Sequence, residues 1–257
     1  SLTTIPTDLF RYNTLVSTDG FRETFSNCTS LITIPTDLFR YNTAVSTSGF
    51  MQTFYSCSSL TSIPAGLFSG CTAVSTYGFY QTFYNCTSLT TIPTDLFRYN
   101  TAVSTYGFRE TFSNCTSLTS IPTDLFRYNT AVSAYGFYQT FYGCVSIETV
   151  PEYLFRYNTG VSTSGFYRTF YRCNKAKFNK WIFYASGETS TRFLNRESNF
   201  RECFYTTCYI GAEQGEAPDL WNCDFGTGAL TSLDCFGGAG NNIPSLSNYK
   251  EIPIAWK

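Results

Sequence analysis

Apolar side chains recur at fixed places along the chain through residue 174, separated by short runs of Thr, Ser, Asp, Arg and Asn. Pro6, Pro35, Pro64, Pro93, Pro122 and Pro151 mark a step of 29 residues. The same step links Gly20 to Gly165 and Cys28 to Cys173, turn by turn. Each unit opens with Ser-Leu-Thr-Thr-Ile-Pro, a short β-favouring run halted by proline, which predicts one strand rung per turn. Phe21 and Phe25 lie four apart, as do Phe79 and Phe83. That spacing predicts a short helical turn with both rings on its inward face. The glycine before each Phe pair is expected to supply a positive φ or a close backbone approach. A weaker half-repeat sets Leu-Phe-Arg-Tyr-Asn beside Thr-Phe-Ser-Asn-Cys, with Cys71 standing in the asparagine place of the third unit. It suggests a second short strand at Ala-Val-Ser.

A repeat of this length predicts a stack of supersecondary units, each burying its apolar face against its neighbours. The expected fold is an α+β solenoid of six 29-residue turns over 1–174, with parallel β rungs and short helical turns opposite. After Cys173 the pattern degenerates. Residues 200–208 echo the Phe-x-x-x-Phe segment, Ala217-Pro218-Asp219-Leu220-Trp221-Asn222 echoes Pro-Thr-Asp-Leu-Phe, and 246–253 resemble a last strand. Residues 175–257 are therefore expected to form a C-terminal cap that hides the open edge, with Trp221 and Trp256 as plugs and a Gly-rich loop at 237–240. The first residues enter partway through the pattern, so the chain is expected to be the C-terminal piece of a longer chain, or a mature fragment of one.

Composition narrows the chemistry. Histidine is absent, which removes Ser-His-Asp triads, Cys-His dyads, His-ligated zinc and imidazole acid–base catalysis. Formal net charge is −1, so no footprint for nucleic acid or an anionic membrane is present. No apolar run approaches the roughly 20 residues that span a bilayer, so membrane insertion is not expected. The six periodic cysteines are expected to be buried thiols at a bend, because stacked equivalents point the same way and cannot bridge. Cys203, Cys208, Cys223 and Cys235 lie outside the period, and a disulfide among them stays open. No tight Cys pair of metal-ligand spacing occurs, and no catalytic site, metal or cofactor is expected.

Asn13, Asn42, Asn100, Asn129 and Asn158 form a column expected to satisfy backbone groups at each bend. Beside it, Arg11-Tyr12 and its equivalents are expected to stack as a guanidinium–aromatic ladder, with Asp8, Asp37, Asp95 and Asp124 offsetting the charge. The units differ from one another chiefly between the Val and Cys columns. Three offsets there carry Tyr77, Tyr106 and Tyr135; then Tyr80, Arg109, Tyr138 and Tyr167; then Tyr55, Tyr84, Tyr142 and Tyr171. These eleven residues are the candidate binding set: an outer stripe of Tyr and Arg on an invariant frame suits recognition, since Tyr gives contact area at low entropic cost. The alternative is that these tyrosines stack on one another and only cover the core. The strand face, mostly Thr and Ser, is blander. Three Asn-Cys-Thr sequons, at Asn27, Asn85 and Asn114, would matter only in a secreted eukaryotic chain.

The residues L-x-x-I-P-x-x-L-F and F-x-x-x-F-x-x-C-x-x-L resemble the BspA-type leucine-rich repeats of bacterial and protist surface proteins. The resemblance covers 1–174, and the motifs G-E-A-P-D-L-W-N, C-F and N-Y-K-E-I-P resemble C-terminal ends of such repeats in gut bacteria and their phages. It implies a leucine-rich-repeat-like stack in an extracellular, cell-surface or virion-surface protein. Its implied role is non-enzymatic adhesion or recognition of a protein or glycan. A different class stays open: a structural component of an appendage, filament or phage fibre that packs against further copies of itself or a neighbouring structural protein.

Overall fold

The computed structural model describes residues 2–188, 190–208, 215–238 and 245–257. Equivalent residues of successive 29-residue units lie against one another, so the units are turns of one stack. Three files of phenylalanine fill it. Phe21, Phe50, Phe79, Phe108, Phe137 and Phe166 stack with ring centroids 5.7–5.8 Å apart. Phe25 and its equivalents through Phe170 stack at 5.4–5.7 Å. A third file, Phe10 to Phe155, wedges into the first at an angle, as where Phe39 meets Phe50 at 4.8 Å and 60°. Offset and tilted arrangements like these suit the ring quadrupole.

The segment expected to be helical is not. In turn one, Asp19, Phe21, Glu23, Phe25 and Asn27 donate their N–H groups to the carbonyls of Thr47, Gly49, Met51, Thr53 and Tyr55 of the next turn, at 2.7–2.9 Å. The residues between them, Gly20, Arg22, Thr24 and Ser26, donate to carbonyls three residues back. Every fourth residue takes a left-handed conformation, with φ of 53° at Asp19, 56° at Glu23 and 60° at Asn27. A left-handed residue ends any α-helical run. The chain thus advances in four-residue turns, and half its N–H groups are free to bond the neighbouring turn. Among the described residues there is no α-helix; the helical elements are 3-10 turns at Ser190–Phe193, Leu220–Asn222, Tyr249–Glu251 and Ile254–Trp256.

The expected strand rung is thin. On the Ser-Leu-Thr-Thr-Ile side one or two backbone bonds per turn join Thr61 to Ile32, Ser88 to Ser58, Thr90 to Thr61, Thr119 to Thr90 and Glu148 to Thr119. Isolated parallel bridges pair Ser120 with Thr149 there and Ala134 with Ser162 at the Ala-Val-Ser segment. Side chains complete the frame from within. Thr53, Cys57 and Asn42 donate to the carbonyls of Phe21, Phe25 and Phe10, each 32 residues earlier, and later turns repeat the pattern. The half-repeat of the sequence is real in this sense: Cys71, in the asparagine place, sends its thiol to the Phe39 carbonyl.

The repeated glycine serves close approach. A Cβ at Gly107 would collide with Val103 Cγ1 and lie 3.0 Å from the Ser104 carbonyl, while the positive φ falls one residue earlier, on Tyr106.

Beyond residue 174 the ladder goes on. Arg168, Phe170 and Arg172 donate to Arg201, Cys203 and Tyr205, and Ser198 to Thr206 donate in alternation to 229–237. Ser198–Asn199 and Leu230–Thr231 form a two-residue parallel pair. Trp256 is buried against Phe200, Phe225 and Phe236 at 6.1–6.4 Å. Trp221, half-buried, meets Phe236 edge-on. Among the described residues no disulfide joins Cys203, Cys208, Cys223 and Cys235, so the bridge left open there is not formed. Of the Gly-rich loop, positions 239 and 240 lie outside the described residues.

Candidate functional site

The four-residue turns decide what the outer face carries. In the second turn Thr53 and Phe54 point inward and are buried, whereas 51–52 and 55–56 lie outside. In each turn the outer positions hold the side chains that vary. All eleven candidate residues are half-buried on this ladder face. They are brought together as files. Tyr77, Tyr106 and Tyr135 stack at 4.5 and 4.6 Å with planes within 5°. Tyr55 stacks on Tyr84 at 4.8 Å, Tyr138 on Tyr167 at 4.9 Å, and Tyr142 on Tyr171 at 5.0 Å. The last file continues to Tyr205 at 5.1 Å, a position the period of 29 does not reach.

Arg109 fills the gap in its own file, its guanidinium 4.4 Å from the Tyr138 ring and 5.4 Å from Tyr80. Its Nε donates to Glu110 at 3.0 Å, and Glu110 accepts Gln81 Nε2 at 2.6 Å, whose oxygen in turn accepts Gln52 at 2.6 Å. This row of amides and carboxylate at left-handed positions was not singled out in the sequence. Further along, Arg168 pairs with Glu202 at 2.9 Å and lies over Tyr167 and Tyr171. Arg109 and Arg168 are thus each paired with a carboxylate. Burial, and then the neighbouring Glu110, raise the Tyr80 phenol above its ordinary value; burial and then Tyr167 do so for Tyr138. These hydroxyls are neutral donors and acceptors at physiological pH.

The most exposed tyrosines stand elsewhere, in the Arg-Tyr file. Tyr12 is 87% and Tyr99 50% exposed. Arg11 lies over Tyr12 and Tyr41, Arg98 over Tyr99 and Tyr128, and Arg127 over Tyr128 and Tyr157. Asp8, Asp37, Asp95 and Asp124 pair with the arginines at 3.4–3.8 Å. Ser69-Gly70 interrupts this ladder in turn three. Of the sequons, Asn85 donates to Ser56 and Asn114 to the Tyr84 hydroxyl, and both take φ near 60°.

The periodic thiols from Cys57 to Cys173 point into the core and donate to carbonyls, whereas Cys28 is only half-buried, and burial pushes Cys57 and Cys144 up to about 12. They are poor nucleophiles. Among the described residues, no group of three or more His, Cys, Asp or Glu is placed to hold a metal ion. No described helix is long and apolar enough to cross a membrane.

No protein-family model matches the chain. No curated protein matches it either. Among solved structures, a leucine-rich cell surface protein from Faecalibacterium prausnitzii is 15% identical, with 62% of each chain covered and a TM-score of 0.17. A leucine-rich repeat protein from Bacteroides ovatus is 15% identical over 63% of this chain and 66% of that one, with a TM-score of 0.17. The chain spans just under two thirds of the length of either. At such TM-scores the architecture rests on its own hydrogen bonds and ring stacks.

Proposed function

We propose that the chain is a solenoid of the leucine-rich-repeat kind that serves as a non-enzymatic recognition module outside the cell. In this reading it holds a protein or glycan through the tyrosine face. The observation that carries it is the stacking of Tyr77, Tyr106 and Tyr135 on a backbone bonded turn to turn. Rings already held in place lose little freedom when a partner arrives, so their contact area converts to affinity efficiently. The amide row and the Arg109–Glu110 pair supply directional polar contacts beside them.

The test uses residues that the files already accept elsewhere. Tyr84→Ser and Tyr142→Ser copy Ser113, and Tyr80→Met and Tyr138→Met copy Met51. Wild-type protein is screened on an array of extracellular proteins and glycans. The combined variant is expected to lose at least about tenfold in affinity for whatever is retained, as hot-spot aromatics do. Its circular dichroism should stay the same. Undiminished binding would contradict the reading.

A second reading, a structural component that packs against copies of itself, is favoured by a different observation. Exposed large aliphatic side chains, Leu230, Leu233 and Ile254, stand near the C-terminal end of the stack. Ordered assemblies in sedimentation and electron microscopy would support it, and a monomer at high concentration would exclude it.

A further inference from the structure

Two kinds of tyrosine file run along the stack, and they differ in what lies between the rings. In the Arg-Tyr file a guanidinium lies over both neighbours, as Arg98 does over Tyr99 and Tyr128, and Arg127 over Tyr128 and Tyr157. On the ladder face Tyr77, Tyr106 and Tyr135 stand ring against ring, with centroids 4.5 and 4.6 Å apart and planes within 5°. That is closer than the 5.7–5.8 Å of the Phe21 file in the core. The three take φ of 54–56° at the same place in successive turns, and Tyr77 and Tyr106 each donate their N–H to the turn that follows. Their rings are therefore close to translational copies, and each ring carbon lies about as far from its counterpart as the centroids do. Burial, and then the neighbouring Tyr106 phenol, raise the Tyr77 hydroxyl, in keeping with hydroxyls at one end of the stack.

All three phenols are half-buried and so reach solvent. Side chains that an oxidant ordinarily takes first are withheld from it. The thiols from Cys57 to Cys173 are buried and keep their protons, which slows their oxidation. Met51 is the one methionine of the chain, and Trp256 is buried.

We propose that Tyr77, Tyr106 and Tyr135 are a site of oxidative cross-linking, where a haem peroxidase with hydrogen peroxide joins neighbouring phenol rings as dityrosine. Each of two adjacent phenols gives up one electron and one proton. The two radicals couple through the ring carbons next to their hydroxyls, forming one C–C bond. The hydrogen on each coupled carbon then returns to its oxygen, which restores both phenols. Hydrogen peroxide takes up the two electrons and two protons, and its O–O bond breaks to give two waters. A link between Tyr77 and Tyr106 closes a loop of 29 residues. Such a link restricts the unfolded chain as a disulfide does, and it braces one turn to the next where the inward thiols cannot. The inference concerns the same rings as the recognition face but holds whether or not that face has a partner.

The test treats the dilute full chain with horseradish peroxidase and hydrogen peroxide, and isolates the product of one-chain mass. Trypsin, cutting after Arg98, Arg109 and Arg127, separates the three tyrosines for mass spectrometry. Links between Tyr77 and Tyr106 and between Tyr106 and Tyr135 are expected, each with a loss of two hydrogens. The Arg-Tyr file, including the more exposed Tyr99, should stay unlinked within the chain. Tyr106→Phe keeps a stacked ring without a phenol and should abolish both links. Tyr135→Ser copies Ser48 and Ser164 and should remove only the second, which keeps the test informative if Tyr106→Phe fails to fold. The linked protein should unfold at a higher urea concentration than the unlinked one. The proposal is overturned by absence of intrachain links in this file, by equal linking in the Arg-Tyr file, by links at these positions that survive both variants, or by an unchanged urea midpoint.

Discussion

A side chain in this molecule is judged by what it does for the turn before it. Asn129 spends both amide hydrogens on carbonyls of turn four, yet its own Oδ1 is buried without a donor. Those carbonyls each keep one backbone partner, from Asn100 and Val103. Asn129→Ala is therefore expected to destabilise by about 1–3 kcal/mol in urea unfolding, the range for lost buried hydrogen bonds. Asn129→Cys should cost less, because Cys71 already fills that place and donates to Phe39. Equal losses for the two variants would contradict a hydrogen-bonding role. The thiols carry a pH dependence. Burial raises Cys57, Cys71 and Cys144 from 9.0 to about 12, so the native state holds these protons more tightly than the unfolded chain. Their contribution is complete below pH 9 and is lost as pH rises towards 12. The urea midpoint should fall through that window, and a flat profile would contradict the burial of the thiols.

At the scale of one turn, the backbone is unusual in placing bulky residues where glycine is the easy choice. Tyr77, Tyr106 and Tyr135 take φ of 54–56°, and Gln81, Glu110 and Gln139 take 52–55°. Such conformations cost of order 1 kcal/mol each and persist only where the surroundings impose them. Here the inter-turn hydrogen bond made by each of these N–H groups does so. Gly107 is fixed by the same geometry, and Gly107→Ala should destabilise by about 1–3 kcal/mol through overpacking against Val103. A neutral substitution would show that the turn relaxes more easily than its packing implies.

The period, the inward Phe, Ile, Leu and Val positions and the asparagine file were legible in the sequence because each is a matter of spacing and side-chain chemistry. The turn itself was not. Phe21 and Phe25, four apart, fit an α-helix and a four-residue turn equally well, and no residue type betrays a left-handed Tyr106 or Gln81. The tyrosine files could be read by comparing units, but Tyr205 lies outside the period, and its place at the end of one file depends on the path of the cap.

The whole stack has a direction. On the ladder face every turn-to-turn N–H of the regular turns points towards the C-terminal end, and the matching carbonyls point back. Trp256 covers the rings at the C-terminal end. The tyrosine files follow from this ladder, since it holds successive turns in register. Hydrogen-bond scalar couplings between amide nitrogen and carbonyl carbon, measured by NMR on deuterated protein, read the ladder directly. The Gln81 amide should couple to the carbonyl of Arg109, and the Phe83 amide to that of Thr111. Couplings from Gln81 and Phe83 to carbonyls four residues back would mean an α-helix in place of the ladder, and would contradict the account.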